Sequence, residues 1–439
     1  MAAKKMKKQK MPASELFRRV ESIVEKGTGI KKRVKKIEGP PRSAGAQRAR
    51  VERGDAGEAA LDQADASETG MRVAIVLGLF AAVGFYLTTR PTMAHFDYTH
   101  RMAVALLHGR LGIEDHPAWL NELIPVHHGS KYYTGNYSLG AVLSVMPFLF
   151  LPVRCLTALI AGACVFLFYL LSGAEETNVA RRTMLALFPV FGTWMWADFA
   201  AGATYHLTQG FGMIGQVGAL YFTLVRPMPV VAGSFFALAF GNRTELILTL
   251  PIYLFLMKRD RLRFLIVPAA LALLTAADNF ARFGSPFEFG YNLQANGMNE
   301  ARCHEHGLFS IHSIAYNAYH MLFEGFTESV RFPFMQPTPW GLSIFLASPF
   351  LFFLFREGGR YKVAAWTAIG LVTVALWCHC NQGGWQFSYR YAMTLLPWMF
   401  LLLVGNGRLS VTEGALFAAS VAINGLATWL FLWTNRIHV

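Results

Sequence analysis

Apolar stretches of about 20 residues recur from Arg72 to Trp433, and a helix of that length crosses a hydrocarbon core of roughly 30 Å. Lipid cannot satisfy exposed backbone polar groups, so such segments must be helices. Composition agrees: 15% of the residues are charged and 54% are hydrophobic, where a soluble domain carries about 25% charged residues. The 39 Gly suit close helix contact and the 10 Trp suit membrane interfaces. The expected fold is an all-α polytopic membrane protein.

The first 70 residues are a separate object. They hold 17 Lys+Arg against 10 Asp+Glu, which places +7 of the net charge of +13 in the tail and +6 in the remainder. Basic clusters at Lys4, Lys5, Lys7, Lys8 and Lys10 and at Lys31, Lys32, Arg33, Lys35 and Lys36 precede an acidic stretch from Asp55 to Glu68. Few aromatics and many small polar residues predict disorder. A short helix over residues 13–24 on anionic lipid and a plain cytoplasmic tail that fixes orientation both suit this pattern. Nucleic acid is not an expected partner, because the charge lies beside a span and no recognition motif accompanies it. The polar tail precedes the first apolar run, so no cleavable signal is expected.

The first span, residues 72–89, follows this tail, and the positive-inside rule puts its amino terminus in the cytoplasm. Residues 90–138 then form a long polar loop outside, and loops of that length are usually functional. Residues 139–151 are apolar but short, with Pro147 and Pro152 near the end, and read as a helix dipping into the outer leaflet. Further spans are expected near 153–171, 183–197, 209–225, 230–240, 246–257 and 264–281, with Arg181, Arg182, Arg226, Lys258, Arg259, Arg261 and Arg263 in the inner turns. A second outer loop, 282–340, carries surface helices such as 314–327. Four more spans, near 342–355, 363–378, 392–404 and 414–433, bring the total to about eleven within a membrane domain of residues 71–439.

Polar residues then gather on one side of the membrane. Asp97 lies in the first loop, just before an amphipathic stretch from Arg101 to His108. A carboxylate there can take a proton from a hydroxyl, hold a divalent metal, or simply cap the helix. Asp198 lies at the outer end of a span, followed by His206, and an ionisable group at a membrane boundary suggests function or snorkelling to headgroups. Arg243 and Glu245 stand between two apolar runs, where they must pair with each other or with a ligand. Arg390, in the aromatic stretch 383–391, offers a planar fork of donors suited to phosphate at a helix start. Cys303, His304 and His306, with Cys378, His379 and Cys380, supply zinc-type ligands in two outer segments. Their spacing fits no standard zinc pattern, and a disulfide between the segments or an unbridged arrangement stands beside the metal reading.

Several of these segments have counterparts in one enzyme class. The acidic residue Asp97 is followed by a helix and then Gly109 (residues 103–111). The stretch 131–138 leads into the dipping helix. Residues 282–291, 337–343 and 385–391 complete the set. In order and sidedness they resemble the GT-C class of membrane glycosyltransferases, which includes protein mannosyltransferases, oligosaccharyltransferase and bacterial enzymes that modify lipid A or cell-wall glycans. The resemblance runs over about residues 72–435 and leaves the tail unmatched.

The resemblance implies a GT-C-like bundle of about eleven helices in the plasma (inner) membrane, with an extracytoplasmic active site. It implies an inverting enzyme that moves a sugar from a polyprenyl-phosphate donor to an envelope glycan, lipid or protein acceptor. In that class the first-loop acidic residue serves the acceptor or a metal, which the match puts on Asp97; a second acidic residue used by some members corresponds to Asp198. Asp97 is followed by Tyr98 instead of a second acidic residue, which leaves a divalent metal on Asp97 and Asp198 an open matter. Arg390, Arg243 and Lys131 are the expected phosphate groups, with His206 in support, and Arg101, Glu245, Glu288 and Tyr389 are further substrate-site candidates. A transporter or flippase of a lipid-linked or anionic substrate is the alternative, but it requires polar residues through the midplane. A scaffold using the basic tail is a third reading.

Overall fold

A computed structural model describes residues 68–90, 96–120, 122–126, 131–293, 301–405 and 407–434. The basic tail, its segment 13–24 and the loop residues His127 and His128 lie outside them. In chain order, α1 (Glu68–Thr88) leads into the first polar loop, which holds α2 (Tyr98–Leu107) and a two-stranded antiparallel pair, β1 (Ile124–Pro125) and β2 (Tyr133–Thr134). The short α3 (Leu139–Val145) precedes α4 (Val153–Ser172), α5 (Val179–Phe191), α6 (Met195–Ala201), α7 (Thr204–Leu224) and α8 (Pro229–Asn242). A 3-10 stretch, Thr244–Thr249, opens α9 (Leu250–Leu256), and α10 (Arg261–Phe283) ends at the second polar loop. That loop contains α11 (Ala301–His306), α12 (Ile314–Leu322) and the pair β3 (Thr327–Glu328) and β4 (Met335–Gln336). Then come α13 (Ile344–Ala347), α14 (Lys362–Cys378), a 3-10 stretch Arg390–Leu395 opening α15 (Leu396–Val404), and α16 (Val411–Leu432).

The fold is therefore all-α apart from two small ladders among the described residues. Four helices, α1, α4, α10 and α16, are long and apolar enough to cross a membrane, and α5 with α6 makes a fifth if the bent pair counts as one span. The other apolar helices are shorter, including 139–148, which is consistent with a segment that dips without crossing. Helix α4 is central: 72% of its apolar window is buried inside the protein, against 22% for α1 and α10, which keep apolar faces free for lipid.

Small residues set the closest helix crossings. A methyl group on Gly162 of α4 would meet the Gly78 carbonyl oxygen of α1 at 2.8 Å, so only glycine permits the observed approach. At the base of the first loop Gly140 lies against Gly241, where an added Cβ would sit 2.6 Å from the Gly241 Cα. Ser138 Oγ reinforces this contact by donating to the Gly241 carbonyl.

The expected continuous span 183–197 is broken. Pro189 lies inside α5, Gly192 ends it, and the chain restarts as α6 at a bend of 50°. A proline cannot supply the helix N–H bond at its position, and the Thr193 hydroxyl donates back to the Pro189 carbonyl at 2.5 Å. The second half ends at Gly202, whose φ of 73° is left-handed. This break carries Asp198 inward, and it is 3% exposed rather than reaching for headgroups.

Arg181, read from sequence as a mark of an inner turn, is a buried structural hub. It is 1% exposed. Its Nε donates to Glu413 at 3.0 Å, Nη1 to Glu176 at 2.7 Å and to the Val404 carbonyl at 3.1 Å, and Nη2 to the Leu403 carbonyl at 2.7 Å. Arg356 adds a bond to Glu413 at 2.9 Å. The start of α5 is thus tied to α15 and α16. Removing one partner strands a buried charge, and Arg181→Met is expected to lower the unfolding free energy by about 3–5 kcal/mol in a detergent-unfolding titration. A change below about 1 kcal/mol would show that water reaches the hub and that the pair is a surface one.

Candidate functional site

Arg243 and Arg390 both stand at helix starts. Arg243 occupies an extended break (φ −136°, ψ 92°) between α8 and the 3-10 stretch that opens α9. Arg390 begins the 3-10 stretch that opens α15, directly after the non-helical Tyr389 (φ −64°, ψ 89°). Helix starts leave N–H groups without intrahelical partners and carry the positive end of the dipole. Both guanidinium groups lie over one ring: Arg243 is 5.5 Å and Arg390 5.2 Å from the centre of Tyr391.

Their charges are handled differently. Arg243 pairs with Glu245 at 2.8 Å. Among the described residues Arg390 has no ion-pair partner within reach: Nη1 donates to the Gly384 carbonyl at 3.2 Å, Nη2 to the Tyr391 hydroxyl at 3.4 Å, and its buried Nε has no acceptor. The same guanidinium stacks 4.6 Å from the centre of the Tyr205 ring. An arginine supported by rings and carbonyls but by no bonded carboxylate is prepared for an external anion.

Carboxylates stand at longer range. Asp198 is buried, accepts the Phe387 backbone N–H, and faces the charge of Arg390. Its Oδ2 has no hydrogen-bond partner, nor has either ring nitrogen of buried His206. Glu122, from the first polar loop, is half-buried, and its backbone N–H donates to the Tyr98 hydroxyl at 3.2 Å. Burial pushes the Glu122 carboxyl above its usual range, while the positive charge of Arg390 pulls it back. Burial and the Glu122 charge together push the Tyr137 phenol up, so it stays a neutral donor. Across the arginine pair, His379 lies with its ring centre 5.7 Å from that of Tyr391 and its Nδ1 2.8 Å from the Asn381 carbonyl. Burial holds this imidazole below its ordinary range, hence neutral.

No family model matches the chain, and comparisons with curated proteins and with solved structures also found no match.

The structure thus brings together Arg390, Arg243, Glu245, Asp198 and His206 from the sequence-derived set. Asp97 lies at the rim. It occupies the cap position of α2 without making a cap bond; its Oδ1 instead accepts from Arg101 Nε at 2.8 Å, and Arg101 also bonds Asp115 at 2.8 Å. The preceding residue links Asp97 to the cluster: Phe96 accepts the Thr204 N–H at 2.9 Å, and its ring lies 6.0 Å from Tyr205, the ring under Arg390. Lys131 pairs with Glu114 at 3.5 Å and is largely exposed. Glu288 accepts the Gly290 N–H at 2.7 Å within its own turn. Tyr389 is buried with its hydroxyl on the Leu376 carbonyl at 3.2 Å, a packing role.

Among the alternatives for the cysteine and histidine segments, the disulfide is the one formed. Cys303 is bonded to Cys380, which removes two thiolates from the expected zinc set, while Cys378 remains free. His304 and His306 stay on α11, and among the described residues no cluster of three His, Cys, Asp or Glu side chains could hold a metal ion. The bond ties α11 to the loop that carries His379. Sequence reasoning missed Glu122 and Tyr205 and gave Tyr391 only a generic aromatic role. Their signal is weak, because nothing in the polar loop's spacing shows which side chains turn inward.

Proposed function

We propose that this protein transfers a sugar from a polyprenyl-phosphate donor to an acceptor hydroxyl at the non-cytoplasmic face of the plasma membrane, within a GT-C-like bundle of about eleven membrane-embedded helices. The observation that carries the reading is Arg390: half-buried at a helix start, paired with no carboxylate among the described residues and sharing the Tyr391 ring with Arg243. Two guanidinium groups and helix N–H groups match the two negative oxygens released as the glycosyl–phosphate bond breaks. Asp97 is the acceptor base. At 30% side-chain exposure it can meet an incoming hydroxyl, whereas Asp198 is closed off at 3%. Asp198 and Glu122 are then electrostatic counterweights that keep Arg390 oriented. The disulfide supports the sidedness, since such bonds persist where the compartment is oxidising.

The transporter reading has less support, because Arg243 and Arg390 sit at helix breaks with guanidinium groups converging on one ring, which suits a fixed anion site. The test uses full-length protein in nanodiscs with a panel of short-chain polyprenyl-phosphate sugars and an envelope extract as acceptor. Loss of the donor's sugar with release of polyprenyl phosphate is expected for at least one donor. Uptake or flipping of the intact donor without cleavage would sink the transferase reading.

A further inference from the structure

A separate cavity borders the segment that leads to Arg390. A pocket of about 460 Å³ opens between the second polar loop and residues 382–386, lined by Arg302, Tyr316, His320, Glu324, Trp340 and Gln382. That volume falls within the span of about 300–1,000 Å³ common for small-molecule sites. Trp340 is 45% exposed although it lines a concavity, so one face of its ring is open to a ligand. Gln382 is 4% exposed and its Oε1 has no hydrogen-bond partner among the described residues, an unusual cost for a buried amide unless a donor arrives from outside.

The charges in the pocket balance locally. Arg302 lies flat on Tyr316, 3.2 Å from the ring centre. His320 Nδ1 lies 3.0 Å from the Glu324 carboxylate. The lining holds one guanidinium, that of Arg302, and one carboxylate, that of Glu324, so the pocket has no excess charge to select an ion. Planar polar groups beside an exposed indole suit a neutral polyhydroxyl ligand, whose C–H face packs on the ring while its hydroxyls bond carboxylate, imidazole and amide.

The pocket is mechanically joined to the arginine site. Gln386 Nε2 donates to the Trp340 carbonyl at 2.8 Å and to the Gln382 carbonyl at 2.9 Å, while its Oε1 accepts the Arg390 N–H at 3.2 Å. Gly384, whose carbonyl binds Arg390, lies against the Trp340 ring, where an added Cβ would be 3.1 Å from Cζ3. One buried amide thus holds the pocket wall and the arginine backbone in register.

We propose that this pocket binds a neutral saccharide unit of the acceptor, stacked on Trp340 and hydrogen-bonded by Glu324, His320 and Gln382, so that the acceptor is a glycan and not a protein or a bare lipid. The assignment of the saccharide as acceptor rests on the transferase reading, but its binding can be measured without turnover. The probes are soluble tri- and tetrasaccharides of glucose, mannose, galactose and arabinose, titrated calorimetrically into full-length protein in nanodiscs, which avoids sugar-headed detergents.

At least one oligosaccharide is expected to bind, with Trp340→Ala weakening it by at least about tenfold and Trp340→Phe retaining most of the affinity. Arg390→Ala damages the phosphate site but keeps the backbone N–H that Gln386 accepts, so the pocket wall stays in place and the same oligosaccharide is expected to bind as it does to wild type. Binding of this pattern upholds the saccharide site even if no donor is ever cleaved, so a failure of the transferase reading stays distinguishable. No binding by any member of the panel overturns the proposal. Binding indifferent to Trp340→Ala overturns it as well, including the case in which Arg390→Ala abolishes it.

Discussion

Arg390→Ala protein binds a short-chain polyprenyl phosphate about 10–100-fold more weakly than wild type, the expected loss for charge-assisted bonds worth about 1.5–3 kcal/mol. Arg390→Lys falls between the two. Lysine restores the charge but not the planar fork, and it stacks less well on Tyr205 and Tyr391, which flank the native guanidinium at 4.6 and 5.2 Å. Arg243→Ala has a smaller effect, because Glu245 already compensates that charge. Donor titration of the four proteins in nanodiscs reads all of this directly. Equal, wild-type affinity in both Arg390 variants would remove this residue from the donor site. The proposed function would then lose its main support, because Arg243, the other arginine over Tyr391, is already compensated by Glu245.

Much of this arrangement was legible in the sequence because lipid makes polar groups conspicuous. Arg243, Asp198, His206 and Arg390 each interrupt or border an apolar run, where an ionisable group stands out as a candidate. The short helix at 139–148 followed from its length. The break in 183–197 did not, since the two halves taken together are apolar enough for one span while the bend depends on Pro189 and its lost backbone bond.

Partners distant in sequence were also hidden. Arg181 looks like an orientation signal until Glu413, 232 residues away, is placed beside it. A disulfide between the two cysteine segments was among the readings, but the sequence did not show that Cys380 and not Cys378 pairs with Cys303 across 77 residues. Glu122 carries no signal of its own within its polar loop. Its significance comes from Arg390, which reaches it from the far end of the chain.

The acceptor base is decided by three amide substitutions made in parallel. Asp97→Asn is expected to reduce transfer by roughly 100-fold or more with donor binding unchanged, because asparagine keeps the size and the bond to Arg101 but cannot take a proton. Its fold should survive: the Asp97–Arg101 pair is partly exposed and contributes about 1 kcal/mol at most. Asp198→Asn and Glu122→Gln should instead alter donor affinity through Arg390, the cation both carboxylates face.

The dependence on pH separates Glu122 from Asp97. Burial makes the folded Glu122 carboxyl hold its proton above the usual Glu range, so if it were the base the rate would climb as pH rises through that elevated value. The same shift fixes a sign for stability. The folded state binds this proton more tightly than the unfolded chain, so the contribution is fully present below the unfolded value. It is lost as pH rises through the folded one. Glu122→Gln should flatten that slope without removing turnover. A rate that rises with pH in wild type, loses the rise in Glu122→Gln and stays near wild type in Asp97→Asn would transfer the base assignment to Glu122, leaving Asp97 as the residue that positions Arg101 against Asp115.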